Sequence, residues 1–310
     1  MDLAFTPEQH AVRDLAHEIF ARMCTDERLR QSEAGPERLD LALWAELERG
    51  GLLDFGVADG SGGGILEVCL ILEEAGRFAA ALPLWAPMVG VLVLGARPNV
   101  VTIGFGAGDG VLEMVPAAGG AQTFLACLPD GVYQVEPTSI EPQTEPGREP
   151  IARVRYSNAT RIDADAVRAR DLALVALCAL QTGICDAAVR LTASYLTTRE
   201  QFGRPLGTFQ AVQQRAGDAY IDVEVMRWSM WHAAWKLAQN HDASEDAAIA
   251  KYWASEGAAR ALAAAQHLHG GMGVDMDYPL HRYTFLARQT ELALGGAWEQ
   301  LARIGEMIAR

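Results

Sequence analysis

The sequence predicts a mainly α fold with a small central β region, and three observations carry the prediction. Residues 1 to about 97 and 164 to 310 place apolar residues at helical spacing, the second stretch in long alanine-rich runs. Between them the pattern changes to short β-rich runs separated by Gly, Pro and Asp. No internal repeat crosses these regions. The expected organisation is an N-terminal helical domain over 1–97, a truncated β domain over 98–163 and a C-terminal four-helix-bundle domain over 164–310. With 310 residues the chain is long enough to bury a large core, as one large domain or several smaller ones.

Each element has a local reason. TPEQHAVRDLAHEIFARM opens a helix with Thr6 as N-cap, Pro7 at the first helical position and Glu8 behind it. RLDLALWAELERGGLLDF gives a second amphipathic helix, stopped by Gly50 and Gly51. After DGSGGG a third helix runs through ILEVCLILEEAGRFA. Gly62 to Gly64 lack a following Lys and a preceding strand, so they read as loop glycines rather than a phosphate cradle. VVTIGF, TFLACL, GVYQVE and IARVRY are the expected strands. Helices are expected over 164–198, 208–239 and 243–269, with a last one from about 290.

Composition narrows the function classes. Half of the residues are hydrophobic and 21% are charged, ordinary for a folded chain. No apolar run reads as long and charge-free enough to span a bilayer. The most apolar one, LALVALCALQTGICDAAV from Leu172, is broken by Gln181, Gly183 and Asp186 and reads as a buried core helix. The opening MDLAFTPEQHAVRDLAHEIF has polar and acidic residues where a secretion signal needs a basic flank and an apolar centre, so a cytoplasmic location is expected. Cys24, Cys69, Cys127, Cys178 and Cys185 form no CxxC pair, which suits a reducing compartment. Cys178 and Cys185 share one face of an apolar helix and read as core. A net charge of −14 argues against nucleic acid or an anionic membrane as the main partner, and leaves room for a local basic phosphate site.

The most informative stretch is TTREQFGRPLGTFQAVQQ, residues 197 to 214. Gly203, Pro205 and Gly207 make a turn between two helices, and Thr208 is placed to cap the second. A turn alone would not need Arg199, Phe202, Phe209 or Gln210. Farther on stands HLHGGMGVDMDYPLHR, where Gly270 and Gly271 by themselves read as a helix stop. No Cys, Glu or Asp constellation completes a metal site around His267, His269 and His281.

Together these segments resemble the acyl-CoA dehydrogenase family. REQFGRPLGTFQ is similar to its R-x-x-F-G…(H/F)-Q signature, and HLHGGMGVDMDYPLHR to its Q-x-x-GG-x-G…P element. LWAELERGGLLDFGV…GGG…EEAGR is similar to its N-terminal helical domain, so the likeness runs in order along most of the chain. The resemblance implies an acyl-CoA dehydrogenase-like fold and FAD as cofactor. It implies that Arg199 reaches the FAD pyrophosphate of a neighbouring subunit, where a planar cation with paired donors suits phosphate oxygens. In the same wall, which also includes Phe209, Phe202 would give an apolar edge to the flavin end and Gln210 a hydrogen bond. His267 takes the usual Gln position, and Gly270 and Gly271 would bring bare backbone against the dinucleotide.

The family removes an α-proton from an acyl-CoA thioester with a Glu while the β-hydrogen leaves as hydride. Counting forward from the paired glycines to the family's base position reaches Leu294. Counting back from Arg199 to the position other members use reaches Ala173 and Leu174. Neither place holds an acid. Asp171 and Glu291 lie near, and Asp171 reads as an exposed or capping charge. The β region also lacks the family's T-E-P…G-S-D segment and its Trp-containing strand. A short, base-less chain resembles the small subunit of α2β2 heterotetramers that oxidise steroid side-chain CoA thioesters. The implied function is one subunit of an FAD-dependent acyl-CoA dehydrogenase for a bulky acyl-CoA. A homologous partner supplies the Glu and an electron-transfer acceptor completes the cycle, with no catalytic residue and no metal on this chain. Two alternatives stand beside it: a homotetramer with Asp171 or Glu291 as an unusual base, and a non-catalytic interaction paralogue.

Overall fold

In the computed structural model, which describes residues 4–35, 38–58, 62–143 and 149–309, the first helix starts where its cap residue requires. Ahead of α1 (Pro7–Met23), Thr6 Oγ1 accepts the Gln9 backbone N–H at 3.3 Å, and the Gln9 side chain accepts the Thr6 N–H at 3.1 Å. α2 (Asp26–Ala34) has no counterpart in the sequence reading. It buries only Leu29, so it has no apolar stripe to read, and its start is fixed by the Thr25 cap. α3 (Leu41–Arg49) and α4 (Ile65–Arg77) follow as expected. Gly50 caps the first of these and Gly64 precedes the second, while residues 59–61 of the intervening loop lie outside the described residues. α5 (Trp85–Leu94) was also unread, for the opposite reason: it is apolar on every side and shows no period.

The β region forms one five-stranded sheet from β1 (Val101–Phe105), β2 (Val111–Pro116), β3 (Thr123–Leu128), β4 (Gly131–Gln143) and β5 (Ile151–Arg161). The order is β1-β3-β4-β5-β2, with β1 and β3 parallel and the other pairs antiparallel. β2 escaped the sequence reading because its alternation is broken: Met114 has φ 55° and the register with β5 shifts between Leu112 and Val115. The sheet curls on itself until Thr102 Oγ1 on β1 donates to the Pro116 carbonyl on β2 at 2.7 Å. Leu112, Phe124, Val135 and Val154 fill the fold so made.

The remaining chain is helical: α6 (Ala166–Thr198), α7 (Gln210–Ala238), α8 (Ser244–His269), α9 (Leu280–Leu292) and α10 (Ala297–Ile308). The expected last helix from about 290 is α10, and α9 ahead of it was not expected, so the described residues from 164 onward hold five helices rather than four. The chain breaks where Leu294 and Gly295 both take positive φ, 59° and 91°. α6 also corrects the membrane reading, since it is long and apolar enough to cross a bilayer by length and composition. In the structure 94% of its most apolar window is buried inside the protein. Cys178 and Cys185 sit fully buried on it, and burial pushes the Cys178 thiol up to about 12. α6 crosses α4 at two glycines. A Cβ built on Gly183 would lie 1.9 Å from the Glu73 carbonyl oxygen, and one on Gly76 2.2 Å from that of Leu180.

Candidate active site

Arg199 is the C-cap of α6 and its backbone is held on both sides. Its N–H donates to the Tyr195 carbonyl at 2.8 Å and its own carbonyl accepts the Leu206 N–H at 2.8 Å. The side chain is exposed and makes no hydrogen bond or ion pair among the described residues, the last carbonyls of α6 included. Beyond it, β6 (Glu200–Gln201) and β7 (Arg204–Pro205) pair across a two-residue turn, Phe202 and Gly203, both at positive φ (53° and 77°). Glycine adopts that conformation freely, whereas a bulky Phe is strained in it. Phe202 is 92% exposed and meets Phe209 edge-on at 6.2 Å. The Arg204 guanidinium lies 4.1 Å over the Phe209 ring, so Phe209 is partly occupied within the chain.

Thr208 does not cap α7. A 3₁₀ turn over Leu206–Thr208 delays the helix, Phe209 becomes its N-cap residue, and the Thr208 hydroxyl donates to the Pro205 carbonyl at 2.7 Å. Gln210, the first residue of α7, is exposed.

At the end of α8, Gly270 leaves the helix with φ 61°, and Gly271 continues into a 3₁₀ turn over Gly270–Val274. Gly270 therefore does act as a stop. Packing inside this chain does not account for the second bare position, since a Cβ at either glycine would meet nothing within 4 Å. His267, Gly270 and Gly271 are exposed, while His269 is buried. The His269 ring stacks on Tyr195 at 4.5 Å, with Nδ1 2.8 Å from the Ala265 carbonyl and Nε2 3.0 Å from the Tyr278 hydroxyl. The sequence reading missed this role for Tyr195. Its stack ties the end of α6 to the end of α8, which brings Arg199 and the paired glycines to one end of the bundle. A guanidinium exposed and without a partner among the described residues, at the same end of the bundle as bare glycine backbone, has the chemistry that suits a phosphate-bearing dinucleotide.

The base positions are apolar. Ala173 and Leu174 are fully buried in the main core, and Leu294 lines a cavity of about 500 Å³ between the sheet and α9. Asp171 is not an exposed or capping charge. It is 2% exposed, accepting from Arg303 at 2.9 Å and from the Ser244 hydroxyl at 2.6 Å, because its face of α6 turns toward the N-terminal end of α8 and toward α10. Glu291 accepts from Arg288 at 2.7 Å.

The same cavity holds an acid that sequence reasoning had no means to single out. Glu149 sits in a polar loop, and burial alone raises its carboxyl pKa to about 8. The folded protein therefore keeps this proton up to about pH 8, while the unfolded chain releases it near the ordinary 4.5. Between those values unfolding loses a proton, so the stability difference runs against the folded state as pH rises. Glu149→Gln is neutral throughout. Its thermal midpoint relative to the parent is expected to climb between pH 5 and pH 9; a constant offset would show that Glu149 is ionised in the folded chain.

Comparison with known proteins places this geometry. Residues 172–308 match the family description "Acyl-CoA dehydrogenase, C-terminal domain". Acyl-CoA dehydrogenase FadE27 of Mycobacterium tuberculosis is 31% identical, over 100% of this chain and 99% of that protein. Among solved structures, the Tcur3481-Tcur3483 steroid ACAD aligns with a TM-score of 0.88 at 36% identity, covering 97% of this chain and 98% of that one. The ChsE4-ChsE5 complex from Mycobacterium tuberculosis aligns at 0.87 and 30% identity, covering 100% and 99%. With a relative this similar along its whole length, the chain belongs to the acyl-CoA dehydrogenase family, FAD-dependent oxidoreductases that act on CH–CH bonds.

Proposed function

We propose that this chain is one subunit of a heteromeric, cytoplasmic acyl-CoA dehydrogenase that desaturates a bulky acyl-CoA of the steroid side-chain class. A homologous partner supplies the proton-abstracting Glu, and a separate electron acceptor completes turnover. The observation that carries the reading is the apolar cavity wall at Leu294, together with the packed core at Ala173 and Leu174: no carboxylate occupies either position. The two aligned structures, the Tcur3481-Tcur3483 steroid ACAD and the ChsE4-ChsE5 complex, support it. So does the apolar surface left on the C-terminal helices, where Trp298 is 82% and Ile308 73% exposed. The division into domains at 97/98 and 163/164 belongs to the same proposal.

In this reading Arg199 binds the cofactor's pyrophosphate, Phe202 and Phe209 give apolar edges, Gln210 donates a hydrogen bond and His267 lies alongside. Gly270 and Gly271 let backbone approach. FAD, when bound, supplies the acceptor for the β-hydride. The strained, exposed Phe202 supports the assignment, because such a conformation is held where the side chain has a use outside its own chain. Purification of the chain alone and together with a co-expressed homologous dehydrogenase tests the reading. Flavin absorbance only in the mixture is expected; a yellow, active homo-oligomer would overturn it.

Asp171 separates this reading from a self-sufficient enzyme. Asp171→Asn leaves the Arg303 cation half-paired in a buried place, which is expected to cost about 1–3 kcal/mol of stability. Turnover of the assembled enzyme should stay within a few-fold, whereas loss of a general base costs about a hundredfold or more. A collapse of turnover with flavin retained would make Asp171 the base.

A further inference from the structure

The hairpin that follows Arg199 carries a second exposed guanidinium, that of Arg204. β6 and β7 pair Glu200 with Pro205 and Gln201 with Arg204, and the Leu206 N–H donates to the Arg199 carbonyl at 2.8 Å, which extends the ladder by one pair. Cross-strand partners share a face, and successive residues along a strand alternate between faces. Arg199, Gln201, Arg204 and Leu206 therefore lie on one face of the hairpin, and Glu200 on the other. Arg199 and Arg204 are diagonal neighbours on that face, a spacing that long side chains span.

Neither guanidinium makes a hydrogen bond or ion pair among the described residues. Glu200, the only acid between Arg199 and Leu206, is on the wrong face to neutralise them. Two like charges without a counter-ion repel, so this face is unfavourable to the hairpin until an anion meets it. Arg204 is also oriented. Its guanidinium lies 4.1 Å over the Phe209 ring, and the Phe209 N–H is itself fixed to the Leu206 carbonyl at 3.1 Å. A guanidinium stacked on a ring keeps all five N–H donors, because they point outward in its own plane. The stack thus sets the direction of the fork and occupies none of its donors.

We propose that Arg204 is a further cofactor-binding residue, which contacts the same FAD pyrophosphate as Arg199, with the Phe209 ring as the platform that holds it ready. The pyrophosphate diester carries two negative charges, and one guanidinium leaves half of that charge unpaired. Two guanidinium groups match it, each with a planar pair of donors for phosphate oxygens. Phe209 thereby acts through Arg204 as well as through its own apolar surface. The inference rests on the shared-cofactor reading and adds one residue to it.

Titration of the flavin-free assembled enzyme with FAD, followed by flavin fluorescence, tests this, with ADP as a competing probe that carries the phosphates without the flavin. Arg204→Met keeps a side chain that packs on Phe209 and removes the charge and its donors. It should weaken FAD and ADP by the same factor, about tenfold at low salt and less at high salt. Arg204→Lys should recover part of the loss, since it restores the charge without the planar fork. Flavin-free Arg204→Met should keep the parent's thermal midpoint. Unchanged FAD affinity in Arg204→Met, or weakened FAD with ADP untouched, would overturn the proposal. A midpoint that falls together with the affinity would also overturn it, by making Arg204 a packing residue. Arg199→Ala, measured alongside, separates the two levels. If it loses flavin while Arg204→Met retains it, this inference alone fails; if both retain full flavin, the shared-cofactor reading fails with it.

Discussion

Replacing Arg199 with Ala is expected to lower the FAD affinity of the assembled enzyme by about one to two decades, the scale of losing a charge-assisted hydrogen-bond pair to a doubly negative group. The structure makes the case sharper than the motif alone. The backbone of Arg199 is fixed by Tyr195 on one side and Leu206 on the other, so the side chain starts from a rigid base. Its guanidinium bonds to nothing among the described residues, although the terminal carbonyls of α6 are within a turn. A helix-ending role would leave flavin content unchanged and alter only stability. Arg199→Lys should recover part of the affinity, since an ammonium keeps the charge but not the planar pair of donors. The measurement is the FAD-to-protein ratio of the co-purified complex after dialysis. Full occupancy in Arg199→Ala would end the assignment.

Gly183→Ala is expected to be the most damaging single methyl group in the chain. The new Cβ would sit 1.9 Å from the Glu73 oxygen, 2.8 Å from its carbonyl carbon and 2.9 Å from the Arg77 nitrogen. All three are backbone atoms, so no rotamer change relieves the clash and α4 must part from α6. Gly76 faces the Leu180 carbonyl at the same crossing. An ion pair spans it as well, Arg77 on α4 to Asp186 on α6 at 3.1 Å, and Arg227 on α7 bridges the two helices through Glu73 at 3.1 Å and Asp186 at 3.4 Å, so separation would break these contacts. The cost should exceed the roughly 1–3 kcal/mol of ordinary overpacking. A fall in the thermal midpoint on the order of 10 °C, or failure to fold, follows. Gly217→Ala is the control of opposite sign: Gly217 is exposed inside α7 and a Cβ there meets nothing within 4 Å. It should stabilise by about 0.5–1 kcal/mol. A melt in which the two variants behave alike would refute the close helix crossing.

Periodicity, capping and turn chemistry were enough to find the elements that have a contrast to read. Thr6, Gly50 and the TFLACL strand stand where local chemistry puts them. α2 and α5 lack a contrast in opposite senses, one nearly all polar and one all apolar, so periodicity was silent on both. Thr208 was misread because the sequence does not say that a 3₁₀ turn will intervene before α7. Asp171 was misread because an acid one step from an apolar stripe looks solvated until its partners, Arg303 and Ser244, are known to lie 132 and 73 residues away.

By itself the sequence determined the helical–sheet–helical order and the family, because both rest on short-range patterns: hydrophobic period, cap and turn residues, and motifs read within a dozen neighbours. It also determined that Leu294, Ala173 and Leu174 bring no acid, since identity alone excludes proton abstraction there. Tertiary structure decided everything that depends on which distant residues share a space. It brought Arg199 and the paired glycines Gly270 and Gly271 to one end of the bundle through the Tyr195–His269 stack, turned Asp171 inward, and set Glu149 against the cavity beside Leu294. Burial and pairing of a charge are properties of its surroundings, and those surroundings come into being only when segments far apart in the chain pack together.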